Sequence, residues 1–539
     1  MSRINSILET KAATLVCIAV AIASRIINVF FVSYAGRDKM VLVMQSKSLL
    51  EGKGFVIPQY FVANPEAVVY DSTPYWPPGY PLFLAPLLKL FNYNIYNATT
   101  ALDVIVCIAL IFIVRKICKQ IGFTRAAINM ATIITGCFEY TFIHESLPTD
   151  SISLLFLLIG FSFLIKTILN EKPGIAWVFA TGFFLFLPNL FRYAYPAVSA
   201  GLPVLIIAAG FFLKQKRILR TGAILLITVS VLLALFYFIM QKTAGSSGYI
   251  LATERGVYPE NVVHWYPAIP ASFINIAFLS SQLIKHAGVG TGPLLRVLEW
   301  VNVISIVLIC YGIITYFKSK KFIPANGFDW FLFLGFFCSA FIFLSLGYLS
   351  ATYKMQIGFA GGWNYIYEPR YFAFVFVFIQ LCFTAVLFRY RRLKNVLMRV
   401  SAFIAAAVLT VEITHNLYFN TKVAMAFRKY KSAVYREQDY NFFTSLIGNI
   451  ERENPGADIF AASYKDNFYP YMATYLGHKG LADAIRLNDT LPPVKRKTFL
   501  VLMLYTPDIP LFEKFLSARS AVNAGQVDYS HFYLLELNP

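Results

Sequence analysis

Long apolar runs separated by short polar stretches dominate this chain. Runs of about 20 apolar residues, each enough to cross a bilayer core, recur near 11–33, 97–114, 126–143, 150–168, 174–190, 195–213, 221–240, 296–317, 328–349, 371–388 and 397–418. The pattern predicts a polytopic α-helical membrane protein with about 11 transmembrane helices. The run GYPLFLAPLLKLF at 79–91 is also apolar, but it is too short to span and is expected to lie in the interface. After residue 419 the pattern changes. ADIFAASY, KTFLVLMLY and HFYLLELNP read as buried or half-buried strands, and DYNFFTSLIGNIEREN and PLFEKFLSARSAV read as helices, the first stopped by Asn454-Pro455-Gly456. Residues 1–419 are therefore expected to form a membrane domain and 420–539 a small C-terminal α/β domain. No GxGxxG follows the first of those strands, so nothing there points to a nucleotide site.

Composition agrees with the membrane class: 58% of residues are hydrophobic and only 14% are charged, against about 25% charged in soluble domains. The net charge of +19 would suit a nucleic-acid partner, but its distribution rejects that reading. Basic residues gather in alternate short loops: Arg115, Lys116, Lys119 and Arg125; Lys214, Lys216, Arg217 and Arg220; Lys318, Lys320 and Lys321; Arg389, Arg391, Arg392, Lys394 and Arg399. By the positive-inside rule these loops face the cytoplasm. The N-terminus is then cytoplasmic, and the loops 34–96 and 241–295 and the C-terminal domain lie outside the plasma (inner) membrane. Cys17, Cys107, Cys137, Cys310, Cys338 and Cys382 fall in spans and Cys118 in a cytoplasmic loop, so no disulfide framework is expected outside. The first apolar run is too long for a signal-peptide core and lacks a cleavage pattern, so it is expected to remain as a span.

The segment Arg37–Pro81 is the most unusual part of the chain. It runs from GRDKMVLVMQSKSLLEGKGF, an acid followed by an amphipathic stretch and a Gly-Lys-Gly turn, to the knot Trp76-Pro77-Pro78-Gly79-Tyr80-Pro81. A membrane anchor has no use for such a loop. A charge held at the lipid boundary is costly and marks a functional site by default, which suggests an enzyme working at the membrane surface. The loop 241–295 is rich in Tyr, Trp, His and Pro, as headgroup-level segments are, and an interfacial helix is expected near 271–286.

Asp38 is the first candidate, as a general base; its structural alternative is an interfacial carboxylate paired with Arg37 or Lys39. Glu145 and Asp150 sit in the short loop His144-Glu145-Ser146-Leu147-Pro148-Thr149-Asp150. Either can supply a second acid, while Asp150 or Thr149 can equally cap the helix that follows. His144 with two carboxylates leaves a divalent cation open without requiring one. Two Arg-Tyr pairs, Arg192-Tyr193 and Arg370-Tyr371, stand at helix ends opposite the basic loops, where the topology rule does not account for them. A guanidinium fork there suits a phosphate; pairing with a local acid, such as Glu368 for Arg370, or reaching to headgroups is the alternative. Lys53 and Arg255 are weaker candidates of the same kind, and Arg25, inside the first span, is expected to pair within the bundle. Trp76, Tyr80, Trp363 and Tyr371 offer faces for a sugar or lipid, but interface belt or loop packing is the plainer reading of Trp76, Tyr80 and Trp363.

The acid, the amphipathic run and the Trp-Pro-Pro-Gly-Tyr-Pro turn together resemble the first outer loop of GT-C glycosyltransferases. These use polyprenyl-phosphate sugars and include protein O-mannosyltransferases, the lipid A aminoarabinose transferase and Rgt-like enzymes. The resemblance covers about 1–420 and is strongest over 20–200; many relatives carry Asp-Glu where this chain has Asp38-Lys39. It implies a GT-C-like helical domain and inverting transfer of a sugar from a lipid-linked donor to a lipid, glycan or protein of the envelope, on the outer leaflet. Asp38 would activate the acceptor, Glu145 or Asp150 would orient it, and Arg370, Arg192 and Lys53 would hold the donor phosphate. A transporter or flippase of lipid-linked saccharides is the alternative, favoured by a continuous midmembrane pathway; a non-catalytic scaffold is a third.

Overall fold

A computed structural model describes residues 6–31, 37–72, 77–137, 148–244, 256–258, 310–318, 324–352, 369–389, 435–464, 468–481, 491–527 and 530–539, with single positions between 300 and 307 and between 396 and 425. The helices are α1 (Lys11–Phe31), α2 (Arg37–Leu50), α3 (Gly79–Leu90), α4 (Ile95–Gln120), α5 (Arg125–Cys137), α6 (Pro148–Leu169), α7 (Ile175–Phe186), α8 (Pro196–Phe212), α9 (Lys216–Ala244), α10 (Gly327–Thr352), α11 (Ala373–Arg389), α12 (Tyr435–Glu453), α13 (Phe468–Leu476) and α14 (Ile509–Ala518). The strands are β1 (Ile57–Phe61), β2 (Asn64–Asp71), β3 (Asp458–Ser463), β4 (Lys479–Gly480), β5 (Thr498–Tyr505), β6 (Val522–Val527) and β7 (Ser530–Leu537). Helices α1 and α4 to α11 stand where apolar runs predict them, the short 79–91 run is the 12-residue α3, and the stretch read as amphipathic is α2. Among the described residues, Thr149–Leu169, Lys216–Lys242 and Gly327–Leu349 are long and apolar enough to cross a membrane. The expected helix near 271–286 lies outside the described residues.

The chain forms two compact units. The first comprises Met1–Asn28, Val104–His144 and Thr149–Met425; the second comprises Val29–Asp103, Glu145–Pro148 and Ala426–Pro539. The first unit is a helical bundle in which α8 and α9 pack together and α9 also packs on α7. Gly182 and Gly210 let these backbones approach: a Cβ on Gly210 would run into the Leu219 backbone. Arg25 is buried within α1 and its Nε donates to the Gly136 carbonyl, a backbone oxygen of α5, at 2.5 Å.

In the second unit β1 and β2 form an antiparallel hairpin, and β3 to β7 form a mixed sheet in the order β4-β3-β5-β7-β6. Strand β3 runs parallel to both β4 and β5, and β7 runs antiparallel to β5 and β6. The apolar runs seen in the sequence are β3, β5 and β7, and the β5 burial is continuous from Thr498 to Leu504, as a central strand covered on both faces requires. Phe460, Leu500, Leu502, Phe512 and Leu535 form its core, each full burial being worth about 1.5–3 kcal/mol. Gly480 passes so close beneath α13 that a Cβ would strike the Pro470 carbonyl.

Two titratable groups tie this unit to pH. Burial lowers the His478 pKa below its ordinary 6.5, with Glu451 at 3.5 Å opposing. Hydrogen bonds and charge from Arg496 and Lys479, against desolvation, hold Asp458 below 3.8. A depressed pKa contributes stability that is complete above the unfolded value and is lost as pH falls through the folded one. Acidification from pH 6.5 downward is therefore expected to lower the melting temperature of the second unit, first through His478 and then through Asp458. His478→Gln should flatten the first step in melts followed by pH, and an unchanged slope would remove His478 as its cause.

Candidate active site

The break between α7 and α8 places one candidate arginine. After α7 the chain tightens into a 3-10 turn, Leu187–Leu190, and Pro196 opens α8. Proline suits a first helical position because its missing N–H would be unpaired there anyway. Asn189 pins the break: its Nδ2 donates to the Phe186 carbonyl at 2.7 Å and to Ser199 Oγ at 2.8 Å, and Ser199 Oγ donates to the Leu185 carbonyl at 2.7 Å. Phe191 stacks on Phe156 of α6 with ring centroids 5.4 Å apart. Arg192, next in the chain, is thereby fixed over the start of α6.

Asp150 lies in the first turn of α6, where the helix dipole favours a carboxylate. Arg192 Nη2 donates to Asp150 Oδ2 in an ion pair with both side chains buried. The guanidinium carbon also lies 5.0 Å from the centroid of the Tyr371 ring, within cation–π range. Tyr371 belongs to the 3-10 turn Pro369–Phe372 that leads into α11. Three residues singled out in separate stretches of sequence, Asp150, Arg192 and Tyr371, thus converge in one unit. The sequence treated Asp150 and Arg192 as an acceptor-orienting acid and a phosphate ligand; the structure makes them each other's partner. Arg370 has its backbone in the same 3-10 turn, and its side chain lies outside the described residues.

In the second unit Asp38 falls in the first turn of α2, with its side chain outside the described residues. Its neighbour Lys39 is buried and donates from Nζ to Asp103 Oδ2 of α4 at 3.2 Å. A buried lysine is costly unless an acid balances it, and Asp103 explains how a cation is held beside Asp38. Asp103 was missed in the sequence, although a lone carboxylate inside the apolar run ALDVIVCIAL is itself a signal. Lys53 is exposed; it pairs with Glu51 at 2.7 Å and lies 5.6 Å from the Tyr70 ring centroid. That hydrogen bond to Glu51 is the first cause of its raised pKa. Tyr80 is 1% exposed in α3, which fits packing of the Pro-rich turn. Trp76 and Glu145 lie outside the described residues. Among those described, no cluster of three or more His, Cys, Asp or Glu could hold a metal ion.

Its solved structural neighbours are GT-C glycosyltransferases. The crystal structure of ArnT from Cupriavidus metallidurans bound to undecaprenyl phosphate matches at 13% identity and TM-score 0.43, over 97% of each chain. Its apo state matches at 11% identity and TM-score 0.48, again over 97% of each chain. The archaeal oligosaccharyltransferase AglB from Archaeoglobus fulgidus, in complex with an inhibitory peptide and a dolichol-phosphate, matches at 12% identity and TM-score 0.47, over 92% of this chain and 69% of its own. At these identities and TM-scores the likeness transfers no residue role. No protein-family model and no curated protein matches the chain in sequence.

Proposed function

We propose that this protein is a membrane glycosyltransferase that moves a sugar from a polyprenyl-phosphate donor to an envelope acceptor on the outer leaflet, with inversion. The observation that carries the reading is the Asp38 segment. An acid in the first turn of α2 is followed, after the hairpin, by the sequence Trp-Pro-Pro-Gly-Tyr-Pro, of which Gly79, Tyr80 and Pro81 begin α3. This is the order of elements that the resemblance to GT-C enzymes implies. Asp38 takes the proton from an acceptor hydroxyl as the hydroxyl attacks the anomeric carbon and the bond to the lipid phosphate breaks. The departing phosphate gains negative charge, which cationic donors must meet. Arg370 and Arg192 fill that role, and the five N–H donors of each guanidinium can serve a carboxylate and a second oxyanion together. Asp150 then orients Arg192, and the Tyr371 face limits its swing.

The basic loops support placing the Asp38 segment and the C-terminal domain outside the cytoplasm, and an outer-leaflet site fits a lipid-linked donor rather than a cytosolic nucleotide sugar. The test is mass analysis of envelope lipids, glycans and proteins from cells lacking this protein. One sugar is expected to disappear from one acceptor while its lipid-linked donor accumulates. An unchanged envelope, or loss of the donor itself from the outer leaflet, would overturn the assignment, the latter in favour of a flippase.

A further inference from the structure

Helix α2 is buried on more sides than its composition calls for. Met40, Val41, Leu42, Val43, Met44, Gln45 and Ser46 are all buried, and seven consecutive residues cover about two turns. The helix packs against α3 and against α13 of the C-terminal segment, all within the second unit. Tyr475, near the end of α13, ties three segments together. Its carbonyl accepts a hydrogen bond from Lys47 Nζ at 2.5 Å, and the same ammonium lies 4.9 Å from its ring centroid. Its hydroxyl donates to the Tyr93 carbonyl at 2.8 Å. Lys47 of α2 thus caps a carbonyl at the C-terminal end of α13, where a cation also meets the negative end of the helix dipole. Nearby, Tyr60 of β1 forms a parallel bridge with Leu481, and Lys479 of β4 pairs with Glu66 of β2 at 2.8 Å and with Asp458 at 3.3 Å. The hairpin and α2 are both fastened to the C-terminal fold by side chains that neither needs for its own secondary structure.

A 14-residue helix of mixed composition is marginal alone in water, and a base works only where packing fixes it to a fraction of an ångström. We propose that the C-terminal domain is the positioning element of the Asp38 helix, and that Tyr475 and Lys47 are the positioning residues through which it acts. The inference rests on the assignment of Asp38 as the base.

Hydrogen exchange on the full-length protein in lipid nanodiscs tests it. Tyr475→Ala removes the ring under the Lys47 ammonium and the hydroxyl bond to Tyr93, Lys47→Met removes the ammonium itself, and each should speed amide exchange over 40–50 about tenfold. Exchange in β5 and β7 should stay at the wild-type rate. Tyr475→Phe keeps the ring beneath the Lys47 ammonium and loses only the hydroxyl bond to Tyr93, and should stay within about threefold of wild type. In cells lacking the wild-type protein, the Ala and Met variants should transfer less sugar and the Phe variant should restore transfer. Unchanged exchange over 40–50 in both variants, or equal acceleration throughout β5 and β7, would overturn the proposal. Asp38→Asn separates the two readings: it should lose transfer with exchange over 40–50 unchanged. Normal transfer by that variant would remove the base assignment, while the exchange of the Tyr475 and Lys47 variants would still decide the positioning role.

Discussion

Asp38→Asn is expected to lower sugar transfer by about a hundred- to ten-thousandfold, the share of a rate that a positioned base supplies. The amide is nearly isosteric with the carboxylate and accepts hydrogen bonds, but it has no lone pair basic enough to take a proton from a hydroxyl. Expression, membrane insertion and detergent melting temperature should remain those of the wild type, because the change is nearly isosteric and leaves the buried residues Lys39 to Ser46 of α2 untouched. The measurement is the amount of transferred sugar in the envelope of cells carrying only the variant. Near-normal transfer would dismiss Asp38 as the base and return the loop to a structural role.

Arg192→Met is expected to destabilise the first unit by about 3–5 kcal/mol, because it leaves the Asp150 carboxylate buried without its partner. Arg192→Lys should fall between it and wild type, since a lysine keeps the charge but loses the planar face over Tyr371 and the forked donors. The double variant Asp150→Asn/Arg192→Met removes both charges, and most of the stability should return, as replacing a whole buried pair is often neutral. Transfer should not return with it if Arg192 meets the donor phosphate. Melting temperature and envelope sugar, measured on the same three variants, separate the two roles. Recovery of both in the double variant would make the pair a folding device and leave Arg370 as the phosphate ligand to test.

Secondary structure was legible wherever a segment's own pattern decides it. The apolar runs carry α1, α4 to α11 and strands β3, β5 and β7 at the positions their periodicity indicates. The elements that escaped are those with weak or contradictory local signals. Strand β2 begins Asn-Pro, although proline is confined to strand starts and edges. Strand β6 contains Gly525 at φ 136° beside a register shift, and β4 is two residues long. Helix α13, in FYPYMATYL, holds a proline and three tyrosines and has no helix pattern that stands out from its surroundings.

The candidate site divides along the same physical line. Residue type and distance from a span were enough to single out Asp38, Asp150, Arg192 and Tyr371, because an ionisable group beside a membrane is expensive wherever the chain later folds. Which charge answers which was not legible: Asp150 and Arg192 are 42 residues apart, Lys39 and Asp103 are 64, and Lys47 and Tyr475 are 428. Hydrophobic periodicity is a property of neighbours in sequence and survives translation into helices and strands. An ion pair is a property of neighbours in space, and only packing brings its two halves together. The amphipathic pattern of α2 implied one buried face, and the tertiary structure buries seven consecutive residues of it, with α3 and the distant α13 both packed against the helix.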